Sequence, residues 1–259
     1  MRVDLHNHTT LCNHANGSME EYVLKAIKEK IDVFGFSDHA PMNYDKKYRM
    51  SFEQKNHYES DILLLKEKYK GQINILLGYE VDFLDTFISD DIINSDVDYL
   101  IGSVHFINEW GFDNPEFIGV YKNKDIDLIW EEYFDAIRKL AKSNLFDIVG
   151  HIDLIKVFNY LPKKSIKQIV TPALKEIKKA NMVLELNPAG LRKPIGEQYP
   201  SSEILEVAYE LDIPITFGSD AHEIEQIGFK YDELTKLAKN IGYTKCCTFQ
   251  KREKTSVTF

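Results

Sequence analysis

No apolar run in the 259-residue chain approaches the ~18 residues a membrane span needs. The first residues, Met1-Arg2-Val3-Asp4, run straight into charge, so a secretory signal is not expected. Cysteine is scarce: Cys12, Cys246 and Cys247 are odd in number and two are adjacent, which spells no disulfide framework. Free thiols in a reducing cytoplasm are the expectation, and without a secretory signal the Asn7-His8-Thr9 sequon carries no weight. Positive charge is also short. Lys+Arg total 32 against 41 Asp+Glu, a net charge of −9, which argues against a nucleic-acid partner. No Ser/Gly-rich linker and no low-complexity stretch interrupts the chain, so one domain over residues 1–259 is expected. What is present is ordinary globular composition, 44% hydrophobic and 28% charged. A chain this long buries roughly 70% of its unfolded surface, so it needs neither a disulfide nor a metal merely to fold.

Short apolar stretches alternate with longer helical patterns. The stretches are Val3–Leu5, Val33–Ser37, Ile73–Tyr79, Tyr99–Val104, Ile148–Gly150, Val183–Leu186 and Ile215–Gly218. Each is rich in β-branched or aromatic residues and has the length of a buried parallel strand. Between them lie helix signals: Ser18 with Glu21 as a capping box, Ser51 with Gln54 opening a run to Tyr69, and Asp125, Ser165 and Ser202 before periodic apolar residues. A last helix is expected over Tyr231 to Ile241, with a final strand at Cys246–Phe249. Repeated βα units point to an α/β fold with a parallel sheet, and seven of them suit a (β/α)7 barrel, with a doubly wound open sheet as the alternative. The region 108–123 reads as a long loop of the kind that covers functional sites.

The histidines are not scattered. Of eight, seven fall at or just after a strand end: His6, His8, His14, His39, His105, His151 and His222. The third strand ends in an acid, Glu80, and Asp220 accompanies His222 after the seventh. Only His57 lies inside a helical run. In a β/α barrel the C-terminal strand ends form one mouth, so these nine side chains would converge there. Burying so many imidazoles together without partners would be costly. Strand period 2 turns His6 and His8 to one face, which Asp4 shares as a candidate hydrogen-bonding partner. Nitrogen-rich donors with a few carboxylates suit Zn²⁺, Fe²⁺ or Mn²⁺, and nine donors are too many for one ion. Cys12, close to His14, is a weaker ligand candidate.

The set His6-x-His8, His14, Ser37-Asp38-His39, Gly78-Tyr79-Glu80, Ser103-Val104-His105, Gly150-His151 and Gly218-Ser219-Asp220-x-His222 resembles the polymerase-and-histidinol-phosphatase (PHP) family. The segments from Gly150 to Ile155 and Glu185-Leu186-Asn187 resemble its histidinol-phosphate phosphatase branch. The resemblance implies a distorted (β/α)7 barrel with a trinuclear centre of divalent transition metals. It assigns one ion to His6, His8, Glu80 and Asp220, a second to Glu80, His105 and His151 with Glu80 bridging, and a third to His14, His39 and His222. It implies hydrolysis of L-histidinol phosphate in histidine biosynthesis. The alternative is the same chemistry on a nucleotide, nucleic acid or phosphotyrosine.

For a small phosphate monoester, dications sharing Glu80 would draw the pKa of a water toward neutrality. Asp220 or His222 would then protonate the departing alkoxide. Arg192 and Lys156 are the candidate phosphate-binding cations, and Ser103 is a further candidate substrate contact. Glu109 and Glu116, in the 108–123 loop, are candidates for the substrate amine, and neither outranks the other.

Overall fold

All seven apolar stretches form strands in the computed structural model of the chain, which describes residues 1–84 and 87–259. In chain order the strands are β1 (Val3–Asp4), β2 (Val33–Phe36), β3 (Asn74–Asp82), β4 (Tyr99–Ser103), β5 (Phe106–Ile107), β6 (Trp110–Gly111), β7 (Ile148–Val149), β8 (Val183–Leu186), β9 (Ile215–Phe217), β10 (Lys245–Gln250) and β11 (Glu253–Thr258). The helices are α1 (Met19–Lys28), α2 (Lys55–Lys68), α3 (Asp90–Ile93), α4 (Ile126–Ser143), α5 (Ile166–Lys179), α6 (Ser202–Glu210) and α7 (Tyr231–Ile241). Seven strands pair in parallel in the order β1-β2-β3-β4-β7-β8-β9. The sheet then curls on itself: Leu5 N donates to Phe217 O at 2.9 Å, and Asn7 bridges Ala221 in parallel. The result is the expected barrel rather than the open sheet.

Local chemistry explains the helix positions. Ser18 and Glu21 form the reciprocal capping box, Ser18 N donating to Glu21 Oε2 at 2.8 Å. Asp125 and Ser165 cap α4 and α5 with their side chains. Along α4, Ile129, Tyr133, Ile137 and Leu140 recur at helical spacing and are fully buried. Each such aliphatic residue contributes about 1.5–3 kcal/mol against exposure. Two starts shift slightly. Ser51 and Gln54 close a hydrogen-bonded turn, and α2 begins one residue later at Lys55. Ser201, rather than Ser202, caps α6.

The barrel interior is filled by side chains. Tyr99, from β4, crosses it to donate its hydroxyl to Leu5 O at 2.6 Å. A Cβ on Gly35 would lie 2.1 Å from that hydroxyl, so β2 needs a glycine where the ring passes. At the N-terminal strand ends the expected single last strand is a hairpin, β10 with β11. Thr216 Oγ1 donates to Cys247 O at 2.8 Å, and Arg252 N donates to Asp98 O at 2.9 Å, fastening that hairpin against the barrel floor. At the opposite end, the expected loop 108–123 is partly ordered. Asn108, at φ +57°, turns the small β5–β6 hairpin, and 3-10 turns follow over Pro115–Asn123. Among the described residues no helix is long and apolar enough to cross a membrane.

Candidate metal centre

The nine sequence-selected ligands meet at the C-terminal mouth of the barrel. β1 runs out into His6 and His8, and that segment is pinned by the chain leaving β9: Asp220 N donates to His6 O at 2.7 Å and His8 N to Ala221 O at 2.9 Å. Asp220 sits at φ +49°, a left-handed turn that aspartate tolerates, and its Oδ1 lies 3.2 Å from His8 Nε2. β2 and β3 stay paired beyond β2, where His39 bridges Glu80.

Glu80 is the hub, 1% exposed. Its two oxygens face different partners. Oε2 lies 3.5 Å from His6 Nε2, 3.6 Å from His8 Nε2 and 2.9 Å from His39 Nδ1. Oε1 lies 2.9 Å from His151 Nε2 and 3.7 Å from His105 Nε2. Three donor clusters with ligand atoms within 4.8 Å of one another follow: His6, His8 and Glu80; Glu80, His105 and His151; His14, His39 and His222. Cys12 joins a further grouping with His8 and His222, and its thiol hydrogen-bonds Thr9 O at 3.0 Å.

The donor chemistry fits cations. His6 Nδ1 bonds Glu185 Oε1 at 2.7 Å and His8 Nδ1 bonds Asp38 Oδ1 at 3.2 Å, which places their protons there. The two Nε2 lone pairs then face each other across 3.2 Å, an arrangement that repels unless a positive charge lies between them. His222 Nε2 and His151 Nδ1 are buried without a partner among the described residues.

Burial disfavours charge on the rings of His6, His39, His105 and His222, and the outcome divides them. For His6, Glu185, Glu80 and Asp220 outweigh burial and lift the pKa well above the ordinary histidine value. For His105, burial is likewise outweighed, by Asp82 and Glu80, and the pKa is pushed up to about 10. At His39 burial wins and lowers it to about 4, and at His222 burial and the nearby His8 take it well below the usual value. Glu80 and Asp220, although buried, are held well below the carboxylate range by the surrounding histidines.

The cluster opens into a cleft of about 510 Å³. Arg192 lines it, with its Nη2 donating to Ser219 O at 3.0 Å and Asp220 O at 2.9 Å, while its buried Nη1 has no partner among the described residues. Lys156 does not line it. That ammonium is buried, and it bonds Asp153 Oδ2 at 2.8 Å, Glu197 Oε2 at 2.7 Å and Gln198 O at 2.8 Å, so its three N–H donors are all taken. Ser103 is fully buried on β4 and does not line the cleft. Glu109 and Glu116 are exposed, and the loop presents Asp113 to the cleft instead. Asp4 turns from the histidines to Ser219, accepting from its N at 2.8 Å and its Oγ at 2.5 Å. His57 is exposed on α2, away from the mouth.

The carboxylates that do hold the rings have no role in the sequence reading, although Asp38 and Glu185 stand in its motifs: Glu185, Asp38 and Asp82, the last bonded to His105 Nδ1 and, at 2.7 Å, to Arg49. A signal existed for two of them. Asp82 follows Glu80 at the strand period, and Glu185 is an acid inside an otherwise apolar strand.

The PHP domain family matches residues 4–189, and a PHP-associated family matches residues 202–238. A Deinococcus radiodurans protein named "Probable histidinol-phosphatase" is 36% identical over 255 residues, covering 96% of this chain and 97% of the relative. The Bacillus subtilis "Histidinol-phosphatase" is 30% identical over 258 residues, covering 88% of this chain and 96% of its own. The fold is also that of a Lactococcus lactis histidinol phosphate phosphatase solved with zinc, L-histidinol and phosphate. That match has a TM-score of 0.84 at 21% identity and covers 98% of each chain.

Proposed function

The chain belongs to the PHP domain family, and from that premise we propose that it is a metal-dependent phosphomonoesterase hydrolysing L-histidinol phosphate to L-histidinol and phosphate. The observation that carries this reading is the convergence of Glu80, Asp220 and seven histidines in one cluster, which opens into a cleft lined by an arginine whose buried Nη1 has no partner among the described residues. The names of the relatives and the ligands of the Lactococcus lactis enzyme support the substrate.

His6, His8, Glu80 and Asp220 would hold one divalent ion, Glu80, His105 and His151 a second, and His14, His39 and His222 a third. Zinc, iron and manganese all suit these donors. When bound, such ions supply Lewis acidity that draws the pKa of a water toward neutrality and offsets charge on phosphate oxygens. The protein's own groups do the rest. Arg192, braced on the carbonyls of Ser219 and Asp220 and lying over the Phe229 ring, offers its remaining N–H groups to a phosphate oxygen. Asp220, just past β9 and held as a carboxylate, is in place to take up the proton of the attacking water and pass it to the departing alkoxide; His222, also past β9 and lining the same cleft, is the alternative carrier of that proton. Asp113, which lines the same cleft near His105, is the acid in place to face the cationic amine or imidazole of the substrate.

The test is a comparison of specificity constants on zinc- or manganese-loaded protein. L-histidinol phosphate should exceed nucleoside monophosphates, phosphotyrosine and an aryl phosphate by at least ~10²-fold, since a site that pairs a carboxylate with an amine rejects substrates lacking one. Equal or higher constants for any of the others would overturn the substrate assignment.

A further inference from the structure

The segment Glu185-Leu186-Asn187 has no part in the chemistry proposed above, yet two of its side chains lie within the metal centre. Strand period 2 turns both Glu185 and Asn187 to the barrel interior, and both are buried. Glu185 accepts from three donors on two oxygens. Oε1 accepts from His6 Nδ1 at 2.7 Å, and Oε2 accepts from His151 N at 2.7 Å and Asn187 Nδ2 at 3.1 Å. Asn187 Nδ2 also reaches Asp220 Oδ2 at 3.4 Å. Room for this is built in: a Cβ on Gly218 would lie 2.1 Å from Glu185 Oε1 and 2.5 Å from His6 Cβ. One carboxylate thus holds a ring from the first ligand set and the backbone of a residue from the second, and touches nothing in the third.

We propose that Glu185 is a positioning residue that fixes His6 with its proton on Nδ1 and its Nε2 lone pair turned to the metal, and ties that ring to the His151 loop. The proposal rests on the reading that these ligand sets bind metal. Its chemical content lies in what an amide cannot do at this position. Glutamine with its NH₂ toward His151 faces two N–H donors. Turned the other way, the NH₂ donates to His6 Nδ1 and drives the imidazole proton to Nε2, into the metal position.

The experiment is Glu185→Gln in the full chain, with zinc loading measured by competition against a chromophoric chelator. Zinc at the first two ligand sets should bind about 10–100-fold more weakly, the usual scale for removing such a partner. Zinc at His14, His39 and His222 should keep its wild-type affinity, a selectivity that a general loss of structure would not produce. Wild-type affinity at all positions, or equal weakening at all three, would overturn the proposal. Failure of the wild-type chain itself to take up zinc would instead overturn the reading beneath it. If Glu185→Gln does not fold, Asn187→Ser removes one donor from the same carboxylate and one from Asp220 while leaving both in place, so its weakening is read at the second ligand set, which Asp220 does not join. The same selectivity at several-fold magnitude is then expected, and a uniform effect or none counts against the proposal.

Discussion

The two sides of the metal centre are built differently. Glu80 meets five rings, His6, His8, His39, His105 and His151, and of these His6, His8 and His105 are each held from behind by a second carboxylate, from Glu185, Asp38 and Asp82. At His14, His39 and His222 the bracing is thinner: His14 Nδ1 bonds Cys12 O at 2.8 Å, and His222 Nδ1 bonds Asp220 O at 3.3 Å. The first side is braced by buried carboxylates; on the second only His39 meets one closely, Glu80 at 2.9 Å, while His14 and His222 hydrogen-bond neutral carbonyls. Carboxylate partners raise ligand basicity and fix ring orientation, so the side around Glu80 should hold its ions more tightly.

The most severe way to break this contrast is Glu80→Ala. It removes a donor from two ligand sets at once, together with the negative charge that offsets repulsion between neighbouring dications. Metal analysis of the folded variant should find both of those ions depleted and the ion of His14, His39 and His222 retained. Turnover should fall by roughly 10³-fold or more, several kcal/mol of lost transition-state stabilisation. Unchanged metal content would mean that Glu80 bridges nothing. A chelator titration of the wild-type protein sharpens the same contrast. One ion per chain should leave first, His14→Ala should make that step easier, and the remaining two should leave together. Simultaneous loss of all three would erase the distinction.

A third test lies where the two sides meet. Arg192 is braced on the Asp220 carbonyl, beside ligands of both. Arg192→Met should lower kcat/KM by at least ~10-fold, the scale of one charge-assisted hydrogen bond, with metal content unchanged. An unaltered kcat/KM would remove Arg192 from the phosphate site.

The smallest effect is in pH. In the metal-stripped chain His6 and His105 have pKa values above the unfolded value of about 6.5, His105 at about 10. The stability they contribute is fully present below pH ~6.5 and is lost as pH rises through the folded values. The thermal midpoint of stripped protein should therefore fall between pH 6.5 and 10. Metal-loaded protein, whose ring nitrogens are taken, should show a flatter profile over that range. Parallel profiles would count against the protonated rings.

Much of this was legible in the residues. The strands could be found because each is a short apolar run between helix caps, and the ligands because histidine recurs at their ends. What escaped is what depends on partners distant in sequence. Lys156 reads as a free cation after a strand, but Asp153, Glu197 and Gln198 surround it. Asp4 shares a face with His6 and His8, yet Ser219, from the other end of the ring, takes its carboxylate. The β5–β6 hairpin escapes because, unlike the equally short β1 and β7, its two strands are neither set apart nor followed by a helix signal of their own.

Closure of the ring sets an order of events. The bond from Ser219 to Asp4 spans 215 positions, and the same seam brings His6 and His8 against Asp220. A contact so remote in sequence forms only after the intervening chain has collapsed, because loop-closure entropy must be met first. The first ligand set is therefore assembled only once the barrel has closed: a nascent chain lacking the ninth strand offers His6, His8 and Glu80 but not Asp220. A divalent ion bound there would be a late guest in a completed shell, adding to final stability without hastening the closure that makes its site.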